Sequence, residues 1–434
     1  MATNTTHTVR QLQRPLYAKA KQGKEGKLYS LSAKVWREDV LWEAWQQGKA
    51  NTGAPGVDGQ SIEAIGGGGQ AGEMIRRVHE QRRPEPYRCH PVRRVDIPKP
   101  QGGTRPRGMA PVEARVVQTA MQLVLEPIFA ADCHPCSYGY RPQRDAKMAS
   151  LAIQEDLDDR AGGVVASDCH SYFTTIPHAK RMTRISQRVV DGSLLRLIKQ
   201  RRKVSVAYHG QVEPTTVGVP QGAPLSPLSS HSSLNLVDQG WHTRGSPETL
   251  GATLHRSADD AILVCRTSAE PALQALAASA IRLGRTLHRD QTRITTLPEG
   301  LDFLGFHFVK RRSPTSGTYA LDIFPSKAAQ GRVRRRIKTC TKRRAPIAPP
   351  DCVQQVKQVG RGWGNSDRHP NASQAFRALQ RCINGRFRRY LTCRSKGRGV
   401  GWQQSPNRAL EARGLIYIGS RVIRYERAPG HARA

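Results

Sequence analysis

The sequence predicts an α+β fold, in which a region of mixed strands and helices is followed by a helical, strongly basic region. Three short segments rich in β-branched residues, at 164–168, 202–210 and 261–265, are typical of β-strands. Segments with helical periodicity alternate with them, at 114–129 and 270–284. This alternation indicates a sheet covered by helices.

The distribution of charge is the second observation that separates a mixed region from a basic helical region. The 434-residue chain has 69 Lys plus Arg against 34 Asp plus Glu, a formal net charge of +35. Residues 331–434 contain 25 Lys or Arg and 4 Asp or Glu, so +21 of that total lies in this segment. A compact protein with such an excess repels itself unless a polyanion neutralises it, and nucleic acid is therefore the expected partner.

The sequence lacks the signals of a membrane or secreted protein. No apolar run approaches the roughly 18 residues of a membrane span, and the N-terminal residues lack the apolar core of a signal peptide. We therefore expect no membrane partner and a cytoplasmic location.

The nine cysteines are an odd number scattered along the chain, which fits reduced thiols better than a disulfide framework. Only Cys133 and Cys136 have CxxC spacing. Because no second pair follows, the spacing does not favour a structural zinc site.

Two glycine-rich or polar tracts, at 66–69 and 311–317, are the candidate boundaries. They predict an N-terminal segment at 1–70, a central sheet-containing region at 71–310 and a basic helical region at 311–434.

Three carboxylates stand at predicted strand ends. Asp168 ends one strand, and the adjacent Asp259 and Asp260 form the tip of a predicted hairpin. Taken alone, such an Asp pair is more typical of an ordinary turn. If the two strands are neighbours in one sheet, however, the three acids form a cluster that divalent cations would neutralise, as in two-metal phosphoryl transfer.

Seven motifs overturn the simple turn interpretation. In chain order they are GAPGVDG (53–59), DIPKPQGGTRPRGMAPVEARVVQ (96–118), LEPIF followed by SYGYRP (137–142), ASDCHSYFTTIPH (166–178), VPQGAPLSP (219–227), SADD (257–260) and LDFLGFHF (301–308). Their order and spacing resemble the group II intron reverse transcriptase and maturase family, and the likeness covers nearly the whole chain. It implies a right-hand polymerase of fingers and palm at 71–310, with fingers beginning in 1–70, followed by an α-helical thumb and maturase-like region that binds RNA and DNA.

The resemblance implies an RNA-directed DNA polymerase that adds dNTPs to a primer 3′-hydroxyl with two Mg²⁺ ions. Its expected partners are structured RNA, in particular a group II intron RNA, an RNA template paired with a DNA primer, and dNTPs. The residues that match the family's metal ligands are Asp168, Asp259, Asp260 and, through its carbonyl, Cys169. Those that match its dNTP-binding positions are Lys99, Arg105, Phe173, Gln221 and Gly222, with Phe173 expected to exclude ribonucleotides.

Basic residues are the candidates for nucleic-acid contact: Arg115, Arg141, Arg377, Arg381, Arg388 and Arg389. The last four lie in a helical pattern at 371–391, whose aromatic residues we expect to be core. Its arginines would face phosphates, contacts that position without reading sequence.

Several residues depart from the family pattern. Ser257 replaces a tyrosine, Thr174 an acidic residue and Gln291 a lysine, and serines occupy 229–233 where an apolar helix is expected. A second function therefore stays open, that of an RNA-binding maturase or RNA chaperone with weakened or lost polymerase activity. No cysteine-pair array follows the basic region, so we expect no HNH-type nuclease and a primer supplied from elsewhere, such as a nascent strand at a replication fork.

Overall fold

A computed structural model describes residues 2–23, 26–67, 69–80, 90–98, 104–158, 162–168, 178–202, 204–208, 211–213, 223–282, 284, 286–288, 292–312, 317–342, 347–367, 369–394, 403 and 405–418, some of them by backbone alone. The expected α+β architecture is confirmed, since helices surround three small sheets in this part of the chain.

The helices are α1 (Ala2–Gln22), α2 (Ser32–Val35), α3 (Glu38–Ala50), α4 (Ile62–Gly67), α5 (Gln70–Glu80), α6 (Val112–Asp132), α7 (Ala146–Asp158), α8 (His178–Arg188), α9 (Gly192–Arg202), α10 (Leu225–Thr243), α11 (Ser246–Thr249), α12 (Ala269–Arg282), α13 (Lys327–Cys340), α14 (Pro349–Ser366), α15 (Ser373–Arg394) and α16 (Asn407–Ala412). The strands are β1 (Val92–Pro98), β2 (Thr104–Met109), β3 (Gly163–Asp168), β4 (Val206–Tyr208), β5 (Gln211–Glu213), β6 (Ala252–Ser257), β7 (Asp260–Cys265), β8 (Arg293–Thr295), β9 (Leu301–Phe303), β10 (Phe306–Arg312) and β11 (Tyr319–Pro325). None of the described helices is long and apolar enough to cross a membrane.

The central sheet has the strand order β6-β7-β3-β8. Strand β7 is covered on both faces: Leu263 packs with residues of α10 and α12, whereas Ile262 and Val264 pack with residues of α7 and of β9 to β11. Because side chains alternate between the faces of a strand, this double cover accounts for the unbroken apolar run at 261–265. The segments predicted at 164–168 and 261–265 are strands, whereas of the described residues in the third segment only 206–208 form one.

A second sheet, in the order β2-β1-β4-β5, lies in the N-terminal half. The helices of the N-terminal half share one hydrophobic core, which includes Leu41 of α3, Ile65 of α4, Ile75 of α5 and Val117 of α6. This core continues across the glycine tract at 66–69, which therefore connects α4 and α5 within one packed unit.

The third sheet, β11-β10-β9, leads into the helical C-terminal region. The antiparallel β10–β11 hairpin continues across residue 311, and Phe308 and Ile323 on its two strands share one core. The helical region thus begins at α13, where Ser326 caps the first turn by accepting a hydrogen bond from the backbone N–H of Ala329. The three-part division at 1–70, 71–310 and 311–434 stays a prediction, although one hydrophobic core crosses its first boundary and the β10–β11 hairpin crosses its second.

Candidate active site

The carboxylate-bearing strands are neighbours. Strands β3 and β7 pair antiparallel, and Asp168 lies directly opposite Asp260 at the end of the ladder. The condition set by the sequence, that the two strands be adjacent in one sheet, is met. Opposite positions are the closest approach that two paired strands offer, although the Asp168 side chain lies outside the described part of the chain.

Asp259 lies in the turn of the β6–β7 hairpin. Ser257 pairs with Asp260, which leaves Ala258 and Asp259 as a two-residue turn. Ala258 has a φ of 59° and Asp259 does not have a positive φ, which is the pattern of a type II′ turn. A side chain at positive φ is unfavourable, so the surrounding structure must hold this turn in place.

A buried ion pair supports the hairpin beneath this turn. Arg256, the last residue but one of β6, donates from Nε to Asp238 Oδ1 at 2.7 Å and from Nη2 to Asp238 Oδ2 at 2.5 Å. The same guanidinium donates from Nη1 to the carbonyl of Ala258 at 2.8 Å. Because Asp238 lies on α10, this helix fixes the backbone of the turn through Arg256.

The segment that follows α6 packs against the other side of the hairpin. The backbone N–H of Tyr138 donates to the Arg256 carbonyl at 2.8 Å, and the Arg256 N–H donates to the Cys136 carbonyl at 2.9 Å. A Cβ at Gly139 would lie 2.3 Å from the backbone nitrogen of Ala258 and 2.8 Å from the Ser257 carbonyl carbon. A residue without a side chain is therefore required where this segment touches the turn.

The donor set at this end of the sheet suits a hard cation. Asp259 is half-buried and Asp260 is exposed, so both lie where a cation could reach them from solvent. Carboxylate oxygens are ligands that Mg²⁺ prefers, and the pairing of Asp168 with Asp260 brings a third carboxylate-bearing position beside them. These residues fit a divalent cation.

Comparison with known families identifies the family of the chain. The reverse transcriptase (RNA-dependent DNA polymerase) family matches residues 97–308, and the group II intron maturase-specific domain matches residues 330–408. The chain belongs to the group II intron reverse transcriptase and maturase family. Enzymes of the reverse transcriptase family generally use divalent metal ions, in agreement with the carboxylates found here.

Relatives of this chain include bacterial and yeast proteins. Protein YkfC of Escherichia coli (strain K12) is 29% identical over 279 residues, which cover 56% of this chain and 73% of YkfC. The group II intron-encoded protein LtrA of Lactococcus lactis subsp. cremoris is 28% identical over 206 residues, 47% of this chain and 33% of LtrA. The putative COX1/OXI3 intron 2 protein of Saccharomyces cerevisiae is 29% identical over 154 residues, 35% of this chain and 18% of that protein. The chain thus spans a third or less of the last two relatives.

The fingers region contains the expected hairpin. Strands β1 and β2 pair antiparallel, with Arg105 opposite Ile97. Lys99 and the Arg105 side chain lie outside the described part of the chain. So do other residues singled out in the sequence, namely Cys169, Phe173, Thr174, Gln221, Gly222 and Gln291. Their proposed roles stay predictions.

Two of the basic residues singled out in the sequence are engaged within the protein. Arg115 donates from Nη2 to the Ala54 carbonyl at 3.1 Å, and burial lowers the pKa of its guanidinium. Arg141 donates from Nη1 to the carbonyls of His134 and Ser137, at 2.8 Å each. In this structure each arginine holds a backbone segment in place, and a nucleic-acid contact by either one stays a prediction.

The C-terminal arginines divide into two groups. Arg377, Arg381 and Arg389 are exposed on α15, where phosphates could reach them. Arg388 is fully buried and donates from Nε to the Ser405 carbonyl at 2.8 Å. The prediction of a surface phosphate contact is therefore wrong for Arg388, because its guanidinium anchors the segment before α16 to α15.

The aromatic residues of α15 are core, as expected. Phe376, Phe387 and Tyr390 are buried in one hydrophobic cluster with residues of α13 and α14.

The serine run at 229–233, where the family pattern has an apolar helix, lies within α10. That helix forms with Ser232 buried, so the departure from the family pattern does not prevent it.

The sequence did not predict the roles of Arg256, Asp238 and Gly139, which support the β6–β7 turn. One signal was present, since Arg256 places a charge in the strand that leads into the hairpin turn, next to buried His255. A charged residue at such a position needs a buried partner. The identity of that partner depends on how α10 packs, which the sequence alone does not specify.

Proposed function

We propose that the chain is an RNA-dependent DNA polymerase that also binds group II intron RNA to assist splicing and mobility. The observation that carries this proposal is the ladder register that pairs Asp168 with Asp260 beside the turn that holds Asp259. A simple surface turn would have no need for a third carboxylate on the neighbouring strand.

In this proposal Asp168, Asp259 and Asp260, with the Cys169 carbonyl, hold two Mg²⁺ ions. When bound, such ions lower the pKa of a primer hydroxyl and neutralise charge on the phosphates. Asp238, through Arg256, keeps the backbone of the turn fixed, so the Asp259 carboxylate needs little reorganisation during each addition.

The dNTP would be bound between fingers and palm. Lys99 and Arg105, on or beside the β1–β2 hairpin, are proposed to contact the triphosphate, because cations on a hairpin can close on a polyphosphate. Phe173, Gln221 and Gly222 are proposed to shape the sugar and base pocket. The exposed arginines of α15 are proposed to contact RNA phosphates, which the charge of the C-terminal region supports.

Primer extension on an RNA template with Mg²⁺ tests this proposal. Wild type should extend a DNA primer, and Asp259→Asn and Asp260→Asn should each abolish extension while leaving RNA affinity unchanged. Asp302→Asn is the matched control, because Asp302 is a strand residue with a 50% exposed side chain outside the site. Extension by Asp259→Asn at the wild-type rate would refute the assignment.

The second candidate function is an RNA-binding maturase or chaperone whose polymerase is weakened or lost. Ser257, which stands beside the turn in place of the family's tyrosine, is the observation that favours it. Folded wild type that binds structured RNA tightly but does not extend a primer would support this function. Recovery of extension by Ser257→Tyr would then identify the missing ring as the cause.

A further inference from the structure

Two histidines and a cysteine gather next to the catalytic hairpin. His134 and Cys136 lie in the segment after α6, and His242 lies in the last turn of α10. Their potential ligand atoms all lie within 4.8 Å of one another. The two imidazoles are stacked, with ring centroids 3.7 Å apart and planes 19° from parallel. This spacing is close to that of ligands around one metal ion.

The polar atoms of this cluster are poorly satisfied within the protein. Nε2 of His242 is buried and has no hydrogen-bond partner. Nδ1 of His134 accepts only a long hydrogen bond, 3.3 Å, from the Cys136 backbone N–H. Buried polar atoms normally have a partner, so these nitrogens require an explanation.

Hydrogen bonds from other residues hold the segment of His134 and Cys136 in place. Asn235 on α10 accepts from the His134 backbone N–H at 3.0 Å and donates to the Asp132 carbonyl at 2.9 Å. Arg141 binds the His134 and Ser137 carbonyls from the other side. The ligand-bearing segment is therefore positioned before any ion binds.

We infer that His134, Cys136 and His242 form a binding site for Zn²⁺. Imidazole and thiolate are the ligands that Zn²⁺ takes in proteins, and they distinguish this site from the all-oxygen carboxylate site. Three protein ligands would leave the fourth position of a tetrahedral Zn²⁺ to water. The thiol of Cys136 gives up its proton as the sulfur–zinc bond forms. A cation here also lies at the C-terminal end of α10, where the helix dipole favours positive charge.

The site would connect the two supports of the catalytic turn. His134 and Cys136 directly precede the segment with Gly139, and His242 follows Asp238 one turn later on α10. Zinc would cross-link the segment after α6 to the C-terminal turn of α10. The CxxC spacing did not reveal such a site, because the second histidine is far away in the sequence. The inference does not depend on polymerase activity.

Metal content of the full chain tests the site. Protein dialysed against limiting Zn²⁺ with excess Mg²⁺, then against a weak chelator, should retain about one zinc per chain. Cys136→Ser and His242→Ala should lose it. Cys265→Ser is the matched control, since Cys265 is a buried cysteine of the same palm core outside the cluster, and Asp260→Asn tests the carboxylate site. Both controls should retain zinc.

Two further measurements separate metal loss from misfolding. Co²⁺ should give a thiolate charge-transfer band in wild type and Cys265→Ser but not in Cys136→Ser. Zinc should raise the Tm of wild type and leave that of Cys136→Ser near the zinc-free wild-type value. A wild type that retains no zinc, or Cys136→Ser and His242→Ala variants that retain as much as wild type, would overturn the inference.

Discussion

Arg256 and Asp238 form a bidentate ion pair whose side chains are 2% and 0% exposed. Its two hydrogen bonds measure 2.7 and 2.5 Å, and Arg256 also binds Ser137 Oγ at 2.7 Å. A buried pair of this kind contributes little net stability over a well-packed apolar pair, because desolvation offsets the attraction. Its contribution here is geometric, since the remaining Nη1 donor holds the Ala258 carbonyl at the turn.

Substitutions in this pair should separate folding from catalysis. Asp238→Leu alone should lower the free energy of unfolding by about 3–5 kcal/mol, because it leaves the Arg256 charge buried without its partner. The double variant Arg256→Met with Asp238→Leu should recover most of that loss but extend primers slowly, because nothing then holds the Ala258 carbonyl. Chemical denaturation and primer extension measure the two effects. Full activity in the stable double variant would show that the pair has no positioning role.

Gly139→Ala should impair catalysis through the turn. The added methyl would lie 2.3 Å from the Ala258 nitrogen, so the hairpin tip must shift. A displacement of about 1 Å at reacting groups can lower the rate about 10²-fold, which primer extension would detect. The control is Gly385→Ala in α15, where a Cβ meets nothing within 4 Å. That substitution should stabilise the helix by about 0.5–1 kcal/mol with no loss of extension.

The position of the three candidate carboxylates at one end of the central sheet could be predicted from the sequence, but the contacts that support them could not. Asp168 is the last residue of β3 and Asp260 is the first residue of β7, and an acidic residue at the end of an apolar strand is a local feature that a short segment reveals. The Arg256 pair depends on a contact between β6 and α10, and the Arg388 contact depends on a segment after the end of α15. Both contacts depend on how separate segments of the chain pack together. An arginine in a basic helix therefore has the same sequence appearance whether it faces phosphate or a buried carbonyl.

Neighbouring arginines on α15 provide a test of that distinction. Arg388→Gln should lower the free energy of unfolding by about 1–3 kcal/mol, because the Ser405 carbonyl loses its donor within the core. Arg389→Gln, one residue later and exposed, should change stability by less than about 0.5 kcal/mol. It should instead weaken RNA binding and reduce the salt dependence of binding by about one unit of slope. The reverse pattern, measured by thermal unfolding and RNA titration, would contradict both assignments.

The Asp367 carboxyl, in the thumb region, predicts that the stability of the protein depends on pH. It follows α14 and lines a groove between α13 and α14 with Arg332, Arg336 and Trp363. Burial raises the pKa of its carboxyl to about 6, against an opposing effect of Arg332. The folded protein therefore holds this proton more tightly than the unfolded chain, whose pKa is 3.8. Stability should consequently fall as the pH rises from about 4 to about 6 and stay reduced above that range.

The substitution Asp367→Asn should abolish this pH dependence of stability. At pH 8 it should raise the free energy of unfolding by about 1–2 kcal/mol after allowance for solvent screening, and below pH 4 it should match wild type. It should also tighten RNA binding, because it removes a negative charge from a groove that contains two arginines. Asp351→Asn, in the first turn of the same helix, is the control: a negative charge there is favourable, so its loss should slightly destabilise the protein. Urea unfolding of both variants across pH 4 to 8 measures the difference, and a constant gap between Asp367→Asn and wild type over that range would exclude titration of Asp367 as the cause.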